Sequence, residues 1–247
     1  MKSGTSQTSP LVYARVAGTL FLLSFLAGGL GEFYIPSQLI VSADAAATAK
    51  NILTSNLLFR IGFATYLIEA MCDVALTGIL YILLRPVHKN LALIAVFFRL
   101  TSTILFGMAE FFYFAALPIL GGADYLKTFS SDQLHTLALL SLKLSAYGGE
   151  IFMAFYGIAS ILLGFLIFQS GYLPKWLGVL LALGGIGFVF KNFALVLAPE
   201  LASSLLLLPM IIAGLSLKRS VMWVKDAQKE KLSSLCNNRI NGLEESL

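Results

Sequence analysis

The chain has 247 residues, of which 58% are hydrophobic and only 12% charged, with a mean hydropathy of +0.85. Soluble domains carry roughly 25% charged residues, so this chain lacks the polar coat a water-soluble core of its size would need, and its composition marks an integral membrane protein. The net charge of +4 comes from basic residues scattered over loops and the C-terminal tail, a distribution that suits membrane orientation and not nucleic acid.

Runs of about 20 apolar residues bounded by polar or turn residues predict the spans in order. After a polar tail over residues 1–10, the first runs from about Leu11 to Leu30 and ends at Gly31 and Glu32. Its apolar length exceeds that of a signal-peptide core, so a retained helix is expected. In the loop that follows, Ser42 to Leu53 reads as an Ala-rich helix with Asp44 in its first turn and Lys50 later, as the helix dipole prefers. It is expected to lie at the membrane surface, as a lid over the interior or as a plain connector. The second span covers about Leu57 to Leu84, closed by Arg85 and Pro86, and the third about Leu91 to Leu117, stopped by Pro118. Ser130-x-x-Gln133 has the form of a capping box opening a fourth helix that runs to about Phe168, before a turn over Gly171 to Pro174. The fifth span is expected at about Leu173 to Phe190 and the sixth at about Leu201 to Leu217, with Pro209 inside it. The result is an all-α, polytopic bundle of six spanning helices in one domain, residues 11–217, followed by a basic and polar tail, residues 218–247.

Lys2, Arg85, Lys89, Lys175, Lys218 and Arg219 collect on one side, against Lys50, Lys127 and Lys191 on the other, which predicts that both termini face the cytoplasm. Trp223 suits a headgroup position in the tail. Cys72 and Cys236 fall in a span and in the tail, so they form neither a disulfide framework nor a zinc pattern.

Several ordered stretches resemble one family. These are Asp44 to Ile52, Leu58 to Phe63, Cys72-Asp73-Val74-Ala75-Leu76, Tyr81 to Leu93 around Arg85-Pro86-Val87-His88-Lys89-Asn90, and Gly171-Tyr172-Leu173-Pro174-Lys175-Trp176-Leu177-Gly178. Together they are similar to the bacterial membrane family known as domain of unknown function 4386, over nearly everything from Ala14 to about Leu217. The resemblance implies a polytopic protein of the bacterial inner membrane, and it carries no assigned catalytic residue.

Seven charged residues lie inside three apolar spans: Arg60, Glu69, Asp73, Arg99, Glu110, Lys143 and Glu150. One such charge at the bilayer centre costs about 2.5–3.5 kcal/mol on insertion scales, so each needs a partner, water or a task. Glu69 and Asp73 share a helix face at four residues, Arg99 and Glu110 at eleven, and Lys143 and Glu150 at seven. Helix rise then sets Asp73 level with Arg99, and Arg60 level with Glu110, so both contacts are predicted. Three positive against four negative residues leave a formal −1, which calls for a proton or a cation. Tyr66, Tyr113, Tyr147, Tyr156 and Asn192 are candidate hydrogen-bonding groups beside them.

Two readings of these stripes stay open. In one, the charges are ion pairs that fix helix register. In the other, they line a cavity that handles a polar solute, a proton or a lipid. The glycine runs Gly28-Gly29-x-Gly31, Gly148-Gly149 and Gly184-Gly185-x-Gly187 suit close helix contact, not dinucleotide binding. With only His88 and His135, and with no Walker loop or Gly-x-Ser-x-Gly elbow, the expectation is no metal and no cofactor. The lipid bilayer is the expected partner, with a small polar solute or lipid as ligand. A transporter, an acid-base enzyme using Glu69, Asp73 or Glu150 on a lipid-like substrate, and a sensory or accessory subunit all remain compatible with the sequence.

Overall fold

The computed structural model of the protein describes residues 10–171 and 173–198. The expected sixth span, Pro209, Trp223, Cys236 and the basic tail lie outside the described residues.

Helix α1 (Pro10–Gly28) does not stop at Gly31. It continues through a π-helical turn, Gly29–Tyr34, into α2 (Ile35–Leu39), so that one apolar rod covers Val12–Leu39. The expected loop start at Glu32 is therefore corrected: Glu32 belongs to the rod. In the π turn each amide reaches back five residues, as Ile35 N–H does to the Leu30 carbonyl. The next donor in that register would be residue 36, a proline with no N–H. The Gly31 carbonyl is left over, and the Tyr66 hydroxyl donates to it at 2.7 Å.

The chain turns at Ile40, which is extended, and enters α3 (Ala45–Thr54). Asp44 stands one position before this helix and not in its first turn. Its side chain accepts from Ala47 N–H at 2.8 Å, a direct N-cap. The elbow is fixed from both sides: Thr48 Oγ1 accepts from the Val41 amide at 2.9 Å, and Asn51 Nδ2 donates to the Leu39 carbonyl at 3.3 Å.

Four long helices follow: α4 (Asn56–Leu84), α5 (Lys89–Leu120), α6 (Ser131–Ser170) and α7 (Lys175–Leu197). His88 Nδ1 caps α5 by accepting from Leu91 N–H. Pro118 sits inside the last turn of α5 and does not end it; the helix closes at Gly121. The capping box of α6 is formed, with Ser130 Oγ accepting from Gln133 N–H and Gln133 Oε1 from Ser130 N–H. Gly171 closes α6 at φ +73°, a left-handed position that favours glycine. α7 runs two turns beyond the expected Phe190, which takes Lys191 out of the loops and into the helix.

Among the described residues, five helices are long and apolar enough to cross a membrane, and their outward faces carry large apolar side chains such as Phe97, Ile104, Phe111 and Phe190. In water such a surface would aggregate; against acyl chains it is the expected surface of a multi-pass membrane protein. Neighbours in contact follow the row α1, α4, α5, α6, α7, while α3 packs mainly on α6. α6 is about 60 Å long at 1.5 Å per residue, twice the hydrocarbon thickness, so it is too long to fit upright within the bilayer core.

Two apolar layers close the bundle. At the α3 end, Ile35, Leu39, Ile52, Phe59 and Leu117 pack together with Tyr66 and Tyr113. At the other end, Leu83, Leu84, Ala95, Leu163 and Leu166 form a second layer. α6 and α7 meet backbone to backbone. A Cβ on Gly164 would lie 2.5 Å from the Gly178 carbonyl oxygen, and one on Gly185 would lie 2.5 Å from that of Gly157. Small residues are what allow this approach. Gly164→Val should therefore destabilise the protein by about 1–3 kcal/mol through overpacking. Gly18→Val, where a Cβ meets nothing within 4 Å, should leave thermal unfolding in detergent unchanged.

Candidate functional site

The expected Asp73–Arg99 contact is present. Arg99 Nη2 lies 2.8 Å from Asp73 Oδ1, with the two side chains 4% and 18% exposed. Ser24 of α1 donates to the same carboxylate oxygen at 3.5 Å, and the Arg99 guanidinium sits 5.0 Å from the centre of the Tyr156 ring on α6. Four helices thus hold one cation, with the ring face adding a cation–π contact.

A second ion pair joins α6 to α7. Lys191 Nζ is 2.8 Å from Glu150 Oε1 and 2.7 Å from Oε2. The sequence places Lys191 among loop residues, so this partner was missed. The signal was the Asn192 beside it, which is buried and donates to the Phe188 carbonyl of its own helix. Lys143, expected on the stripe of Glu150, is exposed. It stands about 10 Å further along α6, beyond the level at which α7 supplies its cation.

The predicted Arg60–Glu110 contact is not formed. Arg60 is exposed, and its Nε donates to Asn56 Oδ1 at 2.6 Å on the same helix. The reason is helical phase: nine residues separate Arg60 from Glu69, which turns Arg60 about 180° away from the acidic stripe of α4. Tyr147 is exposed as well and takes no part.

Glu69 and Glu110 instead meet a carboxylate that the span assignment had put in a loop, Glu32 of the π turn. Glu32 lies within electrostatic reach of Asp73 and Glu150, and Glu69 within reach of Glu32, Asp73 and Glu110. α1 comes this close because Gly28 faces Glu69: a Cβ there would lie 2.9 Å from both carboxylate oxygens. The cue in the sequence is an acid embedded between a glycine run and the apolar residues Phe33 to Ile35. Glu110 is 8% exposed, and neither its Oε2 nor that of Glu69 has a hydrogen-bond partner among the described residues. One turn from Glu110, the Tyr113 hydroxyl is likewise unpartnered at 3% exposure. Its ring stacks on Phe59 at 4.3 Å and meets Tyr66 edge-on at 5.2 Å.

Five carboxylates, Glu32, Glu69, Asp73, Glu110 and Glu150, therefore share the interior with two cations, Arg99 and Lys191. No group of three or more His, Cys, Asp or Glu among the described residues has a geometry that could hold a metal ion. A groove of about 680 Å³ lies at the end of the bundle away from α3, lined by Pro86, Val87, Phe168, Gln169, Ser170 and Lys175. It does not meet the expectation of a cavity lined by the charged groups, because the carboxylates lie deeper and towards the opposite end.

The profile of one family covers residues 16–218. The chain belongs to the family Domain of unknown function (DUF4386). An uncharacterized protein of Archaeoglobus fulgidus is 31% identical over 117 residues, which are 47% of this chain and 56% of that protein. The match thus spans about half the length of that relative. No solved structure matches the chain.

Removing one member of the buried pair strands the other. Asp73→Leu and Arg99→Met should each destabilise by about 3–5 kcal/mol, whereas the double variant should cost less than either alone. Thermal unfolding of the four proteins in one detergent checks this. Additive losses would show that the two charges do not depend on each other.

Proposed function

We propose that this protein handles protons within the membrane, using the Glu32, Glu69 and Glu110 carboxyls as the acceptor group while it processes a polar solute or a lipid. The observation that carries this reading is the imbalance of five carboxylates against two cations. Asp73 and Glu150 have Arg99 and Lys191 as direct partners. The other three have no direct cation among the described residues, and an isolated carboxylate in a low-dielectric interior is far costlier than a neutral acid. A proton is also the one cation that needs no coordination shell and no open chamber, which suits carboxyls packed as closely as Glu69 is against Gly28.

Orientation supports the same reading. Once Lys191 is inside α7, the α3 side retains Lys50 and Lys127, while Arg85, Lys89 and Lys175 stand at the opposite ends of the helices. By the positive-inside rule, the α3 side then faces away from the cytoplasm of a bacterial inner membrane. α3 would rest at the membrane surface over the carboxyl group, as a lid held by the Thr48 and Asn51 hydrogen bonds.

The test is infrared spectroscopy of the protein in lipid nanodiscs. A protonated-carboxyl C=O band should be present at neutral pH and should weaken in Glu69→Gln and in Glu110→Gln, with each variant checked for native thermal unfolding. Spectra with only ionised carboxylate bands would overturn the proposal.

A further inference from the structure

Acidic and basic side chains are distributed unevenly along the helix axes. From Asp73 to the end of α4, residues 74–84 include none; nor do residues 90–98 of α5, 151–170 of α6 or 176–190 of α7. The stretch 201–217 also contains none in sequence. Arg15 of α1 is the exception in this half, and it is exposed. Arg99 is about 15 Å from the start of α5 and Asp73 about 16 Å from the end of α4, so a slab of about 15 Å without internal charge separates the ion pair from that face. Leu84 and Leu166, both fully buried, lie in it with Ala95 and Leu163.

Towards α3, residues 111–120 of α5 are likewise uncharged, but the carboxyl group lies nearer this end. Glu110 is about 15 Å from the end of α5 and about 32 Å from its start, and Glu32 is about 10 Å from Leu39. The unpartnered Tyr113 hydroxyl, 3% exposed, lies one turn beyond Glu110 on that side, and a Cβ on Gly62 would sit 2.8 Å from it. The Tyr66 hydroxyl continues to the Gly31 carbonyl, beside Glu32. Ser145 is buried on α6 at the same end. Beyond them lies the apolar layer of Ile35, Leu39, Ile52, Phe59 and Leu117, where the first rod ends and α3 begins.

We infer that the carboxyl group exchanges protons with the α3 face alone, and that the Asp73–Arg99 pair with the apolar slab behind it closes the route to the other face. The inference rests on the proton reading above and adds its direction. Glu110 is within electrostatic reach of Glu32 from α1, Tyr66 and Glu69 from α4 and Tyr113 from its own helix. Further along, Asp73 and Cys72 of α4, Arg99 of α5, Glu150 and Tyr156 of α6 and Lys191 of α7 surround the rest of the group. On the slab side of Glu110, Asp73 already has its cation in Arg99, so no uncompensated carboxylate waits there for a proton moving in that direction. The protein is then a one-sided proton site, not a proton channel.

A lipid-soluble carbodiimide, which reacts with protonated carboxyls, tests this on the full-length wild-type protein in sealed vesicles of known orientation. The pH is raised on one face at a time, and labelling at Glu32, Glu69 and Glu110 is read by mass spectrometry. Raising pH on the α3 face should reduce labelling, by up to about tenfold per pH unit once the acids ionise. Raising it on the other face should change nothing. Labelling that follows the other face, or both faces, would overturn the inference while leaving the proton reading intact. No labelling of these residues at any pH would overturn both. A passive proton leak through wild-type vesicles that disappears in Glu110→Gln would also sink it, because a one-sided site carries no current.

Discussion

A charge taken into hydrocarbon must be neutralised by something close by, and the arrangement of this bundle follows from that requirement. Arg99 draws together Asp73 of α4, Ser24 of α1 through Asp73, and the Tyr156 ring of α6. Lys191 does the same for α6 and α7 through Glu150. Association of apolar helices in lipid gains little from the hydrophobic effect, so such pairs and close backbone packing carry the specificity. The glycines at 157, 164, 178 and 185 supply the second of these on α6 and α7.

The two ion pairs leave Glu32, Glu69 and Glu110 without direct cations among the described residues, and all three stand where three elements converge: the π turn of α1, the middle of α4 and the half of α5 nearer α3. A carboxyl group placed in this way can change its charge without dismantling the bundle, because the pairs beside it already hold the helices. On the proton reading proposed above, structural and proton-handling roles are divided between residues, and the two readings left open by the sequence apply to different members of one belt.

How much of this could be read from the residues alone depended on which physical rule governed each position. Length and hydropathy are properties of contiguous chain, so α4, α5 and α6 were legible within a few residues, as was the Ser130–Gln133 capping box. Periodicity on one helix with depth on the next was enough for Asp73 and Arg99. It failed for Arg60 because depth alone was matched and the half-turn of phase was not. Glu32 and Lys191 were hidden for another reason: a charge near the end of an apolar run reads as its boundary. Whether a helix continues past such a charge depends on a partner elsewhere in the fold, Glu150 in one case and the convergent α4 and α5 in the other.

The proline two residues after Tyr34 has an effect on the first rod that reaches beyond its own position. With no amide hydrogen at Pro36, one carbonyl upstream must go bare whichever winding the rod adopts: that of Gly31 if the wide turn is kept, that of Glu32 if the rod tightens to ordinary α geometry. Neither winding is free of the defect, so their energies are brought nearer than in a proline-free helix. The phenol of Tyr66 settles the contest by reaching the first of these acceptors. Losing that bond would make rewinding easier, and rewinding turns Glu32 by about 100° around the axis, away from or towards its fellow acids.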